Sequence, residues 1–201
     1  MSYDAWRGSY DAEWRTGEDA GADAKLINYL MKNRHTSPFE SVTFTFEVKA
    51  PIFVFRQWHR HRTWSFNEIS ARYAELPEEF YVPAIDKITT QSKNNKQQRT
   101  DDQLDDAVRV AEQIDEACHE AFRRYKYLLD MGTPRELART VLPVATYSKM
   151  FATIDLHNLL GFLRLRDHSH AQYEIQVYAQ AMLQLIEPIV PVSVAAFKAN
   201  T

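Results

Sequence analysis

Cysteine is nearly absent: Cys118 stands alone in 201 residues, so no intramolecular disulfide can form and a reducing compartment is the simplest setting. Only five glycines occur, and none falls in a Gly-x-Gly-x-x-Gly series, which excludes the Rossmann dinucleotide fingerprint. No apolar run approaches the roughly 20 residues a membrane span needs. The start Met1-Ser2-Tyr3-Asp4 also has no basic, then apolar, leader, so a cytoplasmic protein is expected. Excess positive charge is missing too: 24 Lys and Arg against 27 Asp and Glu leave a net charge of −3. Chains that coat nucleic acid are usually strongly basic, whereas a basic site in an acidic shell suits a small anion.

What the chain does have is an ordinary soluble composition, 45% apolar and 25% charged, which leads us to expect one domain over residues 1–201. Its densest chemistry is Arg56-Gln57-Trp58-His59-Arg60-His61-Arg62-Thr63-Trp64-Ser65-Phe66-Asn67-Glu68-Ile69-Ser70-Ala71-Arg72. Four arginines and two histidines follow the apolar run Ile52-Phe53-Val54-Phe55, so a cationic cluster is anchored to core. By composition alone such a stretch is equally a solvated face or a nucleic-acid patch.

Residues 1–24 form a polar, acidic extension with two similar phrases around Trp6 and Trp14, for which the residues suggest no function. Ala24, Ile27, Leu30 and Met31 predict a helix over 23–32. Ser37-Pro38-Phe39-Glu40 reads as a capping box whose free N–H groups also suit an anion. Val42, Phe44, Phe46 and Val48 alternate with polar residues as a half-buried strand does, and Pro51 opens an apolar helix over 52–58. Thr63–Glu68 reads as loop, Ile69–Tyr73 and Glu79–Val82 as strand segments, and residues 86–100 as an exposed polar excursion of low order. A long amphipathic helix is expected over Asp101–Met131, stopped by Gly132, with Cys118 on its apolar stripe as a packing residue. Thr133-Pro134-Arg135-Glu136 reads as a second capping box opening the helix of Arg139. Asp155 caps a helix striped by Leu156, Leu159, Leu160 and Leu163, and Ala171–Ile186 is expected as the last long helix. The class is α+β, with helices around a small, mainly antiparallel sheet.

Arg60-His61-Arg62, seven residues, then Ser70, with Gln57, Glu68 and Arg72 in place, resembles the signature of the flavin-dependent thymidylate synthases. His35-Thr36-Ser37-Pro38-Phe39-Glu40, Arg139-Thr140-Val141-Leu142-Pro143 and Leu163-Arg164-Leu165-Arg166 with Ser169-His170-Ala171-Gln172 resemble further segments of that family, in its order. The resemblance spans about Leu26 to about Tyr178. It implies an enzyme that converts dUMP to dTMP with methylenetetrahydrofolate and NADPH through FAD, as a homotetramer with shared sites.

By the same resemblance the dUMP site comprises Gln57, Trp58, His59, Arg60, Glu68, Ile69, Ser70, Ala71, Arg72, Arg139 and Arg166. Ser70, Arg72 and Arg139 take the phosphate, for which guanidinium forks are suited. Arg166 is the catalytic residue, a fixed guanidinium that stabilises charge developing on the uracil ring. FAD contacts are Ser37, Arg60, His61, Arg62, Glu68, Asp155 and His157, with Gly161 at the same site. Taken singly, His61 and His157 read more often as ordinary polar histidines, and Arg139 alone has a surface ion pair as its alternative. No cysteine nucleophile is available, in contrast to the flavin-independent synthases. Two positions depart from the family pattern: Gly161 stands where a histidine or asparagine is usual, and Asp167-His168 where an aspartate precedes Ser-His-Ala-Gln. They are the support for a second reading, a pyrimidine-nucleotide 5-hydroxymethylase. A third reading is a nucleic-acid-binding module. His168-Ser169-His170 lacks further ligands at metal spacing, so no metal is expected.

Overall fold

The computed structural model describes residues 19–200, and the phrases around Trp6 and Trp14 lie outside the described residues. The elements run α1 (Asp19–Lys32), α2 (Ser37–Glu40), β1 (Thr43–Pro51), α3 (Ile52–Trp58), β2 (Ser65–Glu68), β3 (Thr89–Gln91) and β4 (Arg99–Gln103). They continue as α4 (Ala107–Asp130), α5 (Arg135–Ala138), β5 (Tyr147–Asp155), α6 (Leu156–Arg166), α7 (Tyr173–Ile186) and α8 (Pro191–Ala199). The α+β class with a small antiparallel sheet is as expected.

The central sheet has the order β1-β5-β2, both pairings antiparallel. Thr43 faces Asp155 at one end and Pro51 faces Tyr147 at the other, so Val48, Ala50, Met150, Ala152 and Ile154 share the buried face. Against it pack Val54, Phe55 and Trp58 of α3, Leu159, Phe162 and Leu163 of α6, and Ile175, Ala179 and Met182 of α7. Trp58 is 0% exposed, lies 5.1 Å from the Phe162 ring in a stacked pair and meets Trp64 edge-on at 5.4 Å. At about 25 cal/mol per Å², an aromatic ring of this size contributes at most about 4–6 kcal/mol, which fixes α3 to α6.

Several local readings need correction. Ser65–Glu68 is a strand, not loop, because its backbone pairs with the outer edge of β5. Ile69–Tyr73 is a turn instead of a strand: after Ile69 donates to Lys149 O (2.9 Å), Tyr73 and Ala74 donate back to Ser70 O. Neither capping box forms. Thr36 precedes α2 in helical conformation and Pro134 precedes α5, and neither start has a side-chain cap. Arg139 therefore sits on a 3-10 turn, Arg139–Val141, beyond a four-residue helix. Residues 86–100 are ordered by a 3-10 turn and the β3–β4 hairpin, whose Ile88 packs on Ala107 and Ala111 of α4. Residues 101–103 thus belong to β4, and the long helix starts at Ala107.

Gly132 ends α4 at φ 81°, with Thr133 donating to Leu128 O (3.0 Å) and Gly132 to Leu129 O (2.9 Å), the paired bonds of a Schellman stop. The same stop ends α1, but there Arg34 takes the left-handed place, at φ 59°. His35 donates to Leu30 O (2.9 Å) and Arg34 to Met31 O (3.2 Å). Asp155 caps α6 as expected, accepting from Asn158 N at 2.9 Å. A shorter last helix, α8, follows the last long one and starts at Pro191, a residue suited to the first turn. No described helix is long and apolar enough to cross a membrane.

Candidate active site

α3 delivers the cationic segment. Val54, Phe55 and Trp58 bury one face, so Arg56 is turned outward, and after Trp58 the chain exposes Arg60 and Arg62 before Trp64 returns to the core. Beyond the helix, β2 and the Ser70–Ala74 turn bring the second half of the segment back beside α3. Between them lies a cavity of about 370 Å³, lined by Arg56, His59, Glu68, Ile69, Ser70, Ala71, Arg139 and Ser148 among others. Ser148, buried on the inner face of β5, donates to Glu68 Oε1 at 2.8 Å and holds that carboxylate toward the sheet.

Beside the cavity, two arginines meet at Glu136. The Arg72 guanidinium lies 3.4 Å from its carboxylate, and Arg139 Nε donates to its backbone carbonyl at 3.4 Å. The Arg72 amide N–H in turn donates to Ser70 Oγ (3.3 Å), so Ser70, Arg72 and Arg139 occupy one neighbourhood. A hydroxyl and two guanidinium groups together form a donor set for a compact dianion.

Phe162 and Arg166 are one turn apart on α6 and share a face. Both touch His61, whose ring meets Phe162 edge-on at 4.9 Å and whose Nε2 accepts from Arg166 Nε at 2.8 Å. Burial and the neighbouring guanidinium, in that order, hold the His61 pKa below its ordinary value. Burial likewise lowers that of Arg166, though a guanidinium stays charged at neutral pH. Arg166 is therefore a half-buried cation oriented through His61, which in turn packs on Phe162, and it lies outside the lining of the first cavity.

A second cavity, of about 240 Å³, opens where α1, α2 and the first turns of α6 meet. Arg34, His35, His157, Gly161 and Arg164 line it with Leu30, Phe39 and Leu160, and no carboxylate does. Of the FAD contacts expected, His157 and Gly161 are here. Ser37 is exposed and outside the lining, whose place is taken by Thr36. Both Asp155 oxygens are engaged by Asn158, one by its backbone N–H and one by its side-chain amide, so this carboxylate serves the helix start. A Cβ at Gly161 would meet nothing within 4 Å, so no crowding requires glycine there.

Not every expected contact is free to act. Trp58 is fully buried and supports the site from behind, whereas Arg60 and Arg62 are exposed and line neither cavity. His59 packs edge-on against Phe66 at 4.6 Å while facing the first cavity. Gln57 is half-buried and donates to Gln172. Asp167 accepts from Gln180 (2.9 Å), and the His168 ring stacks on His170. Among the described residues no group of three His, Cys, Asp or Glu could hold a metal. Cys118 is buried in α4, where burial and then Asp115 raise its thiol pKa, and it lines neither cavity, in keeping with a packing residue. Sequence reasoning missed Ser148, Arg34 and Arg164.

The family model for thymidylate synthase complementing protein matches residues 1–192. A flavin-dependent thymidylate synthase of Treponema denticola is 49% identical over 178 residues, covering 88% of this chain and 67% of that protein. Those of Ehrlichia ruminantium and Thermus thermophilus are 46% and 49% identical, covering 91% and 88% of this chain and 62% and 64% of theirs. The chain thus spans about two thirds of the length of these relatives. The crystal structure of a UMP/dUMP methylase, PolB from Streptomyces cacaoi, bound with 5-Br dUMP is similar at a TM-score of 0.84 and 42% identity, covering 97% of this chain and 88% of that one. With a family match over nearly its whole length and relatives at this identity, the chain belongs to the thymidylate synthase complementing protein family, whose members named here are flavin-dependent thymidylate synthases.

Proposed function

We propose that this protein is a flavin-dependent thymidylate synthase, which transfers the methylene of methylenetetrahydrofolate to carbon 5 of dUMP and reduces it with hydride from NADPH, giving dTMP. The observation that carries this reading is the meeting of Ser70, Arg72 and Arg139 beside the 370 Å³ cavity, a volume within the roughly 300–1,000 Å³ of small-molecule sites. The phosphate of dUMP would sit with these three residues, and binding there would draw Arg72 from Glu136. Glu68, steadied by Ser148, faces the rest of the nucleotide. Arg166 acts on the ring: as negative charge grows on the uracil, an oriented guanidinium stabilises it, and orientation by His61 removes the need to reorganise at that moment.

The donor set around the second cavity fits FAD. Two guanidinium groups without a lining carboxylate suit its pyrophosphate, and Leu30, Phe39 and Leu160 form an apolar wall. Arg34, Arg164, His35 and His157 would hold it. When bound, FAD supplies the hydride chemistry that no side chain offers. At about 240 Å³ this cavity encloses only part of so large a group, and Arg60, His61 and Arg62 do not line it. The homotetramer with shared sites that the family resemblance implies would let neighbouring copies complete the cofactor site.

Reconstitution with FAD tests the reading. The protein should acquire a flavin absorbance spectrum that dUMP perturbs, with weak salt dependence, because one monophosphate releases few counterions. A colourless product, or steeply salt-dependent polynucleotide binding without dUMP binding, would overturn it.

A further inference from the structure

Glu174 is a carboxylate at 5% exposure that accepts from three side chains, Tyr81, Arg99 and Gln172. Tyr81 donates to its Oε1 at 2.9 Å, Arg99 to Oε1 and Oε2 at 2.7 and 2.6 Å, and the side-chain amide of Gln172 to Oε2 at 2.8 Å. Arg99 is fixed from behind by its bond to Lys87 O, at 2.9 Å, so the β3–β4 hairpin clamps onto the start of α7. Burial opposes ionisation of Glu174, but the bonds from Arg99, Gln172 and Tyr81 outweigh it and its pKa lies below the usual carboxylate value.

An ionised carboxylate only accepts, whereas a glutamine amide has a donor end and an acceptor end. Glu174 therefore takes the NH₂ end of Gln172, which leaves Gln172 Oε1 outermost. That oxygen accepts from Nε2 of Gln57. Position 57 is thus turned with its donor end engaged and its Oε1 left as the end a ligand would meet, at a place outside the lining of the 370 Å³ cavity.

We propose that Glu174, with Arg99, is a positioning residue that sets the amide polarity of Gln57 through Gln172, so that position 57 offers an acceptor to a donor on the bound pyrimidine nucleotide. This rests on the dUMP reading above and makes it more specific. The phosphate dianion has no donor; the nucleotide's donors are the ring N3–H and the 3′-hydroxyl. Gln57 consequently reads base or sugar, and the relay explains why a buried ion pair stands behind a glutamine.

The test is calorimetric titration of the full-length, FAD-loaded protein with dUMP, 3-methyl-dUMP and 3′-deoxy-dUMP, for wild type and Glu174→Gln. Removing the carboxylate lets both amides turn over, so Glu174→Gln should bind dUMP about tenfold more weakly, the loss of one hydrogen bond. The penalty should vanish with whichever analogue lacks the donor that meets Gln57. A purely structural role would lower the melting temperature and leave the affinity of the folded protein unchanged, or penalise all three ligands alike; either result overturns the proposal. Should Glu174→Gln fail to fold, Gln172→Met leaves the Arg99–Glu174 pair intact and breaks only the relay. It must reproduce the analogue-dependent penalty, and unchanged dUMP affinity overturns the proposal. Wild type that binds no dUMP overturns the nucleotide reading as well, whereas dUMP binding with a uniform penalty overturns the positioning role alone.

Discussion

Replacing Arg34 with glycine should move stability and cofactor affinity in opposite directions. Arg34 holds the left-handed position of the α1 stop at φ 59°, where Gly132 does the same for α4 without strain. A side chain there costs about 1–2 kcal/mol, and glycine recovers that less about 0.5–1 kcal/mol of extra unfolded-state entropy, a net gain of about 0.5–1 kcal/mol. For a chain of this size the melting temperature of FAD-free protein should rise by about 1–4 °C. The same change takes one of two guanidinium groups from the second cavity. A charge-assisted bond to a phosphate contributes about 1.5–3 kcal/mol, so FAD should bind about 10–150-fold more weakly. Ligand stabilisation grows with the logarithm of concentration over dissociation constant, so in saturating FAD the order reverses and the variant melts below wild type. Thermal melts with and without FAD, with flavin fluorescence for affinity, make the comparison. A variant that melts lower in both states, or binds FAD as wild type does, refutes the assignment of Arg34 as a strained ligand.

Arg166→Ala should lower turnover by on the order of 10²–10³ while dUMP affinity falls less, since the charge it meets appears mainly in the transition state; a raised dissociation constant with wild-type single-turnover rate would leave Arg166 as an anchor only. Cys118→Ala should keep full turnover and cost about 1 kcal/mol in stability by chemical denaturation, because Cys118 only packs within α4; loss of turnover in a folded variant would restore thiol chemistry. The folded pKa of His61 lies below its unfolded value, so its contribution is fully present above about pH 6.5 and is lost as pH falls through the folded value. The melting temperature should accordingly drop on acidification from pH 7.5 toward 5.5, and His61→Gln should flatten part of that drop; identical pH profiles would place His61 outside the titrating set.

Elements with one dominant signal were legible in the sequence. β1 alternates cleanly, α3 is apolar behind Pro51, and α6 has both an Asp155 cap and an unbroken leucine stripe. The central strand β5 gave a mixed signal: its inner face starts with Ser148 and its outer face carries an exposed Phe151, which blurs the period-2 contrast. β2 and the β3–β4 hairpin are polar, because their order comes from backbone pairing with β5 and from Arg99 reaching Glu174, neither of which is local. The capping boxes failed because the side chain–backbone bonds they require are absent in such short helices. Of the residues singled out, Ser70 by its spacing from Arg60–Arg62 lines the first cavity, whereas Arg60 and Arg62 line neither, and Arg166 was found only through the family resemblance. Arg34 and Arg164 did not stand out, since nothing local distinguishes a cavity arginine from a surface one.

The most direct measurement is product analysis after FAD-loaded protein is incubated anaerobically with dUMP, methylenetetrahydrofolate and NADPH. The account predicts dTMP in step with NADPH oxidation, both lost together in Arg166→Ala. Unchanged dUMP, or a 5-hydroxymethyl nucleotide formed without NADPH consumption, would contradict it.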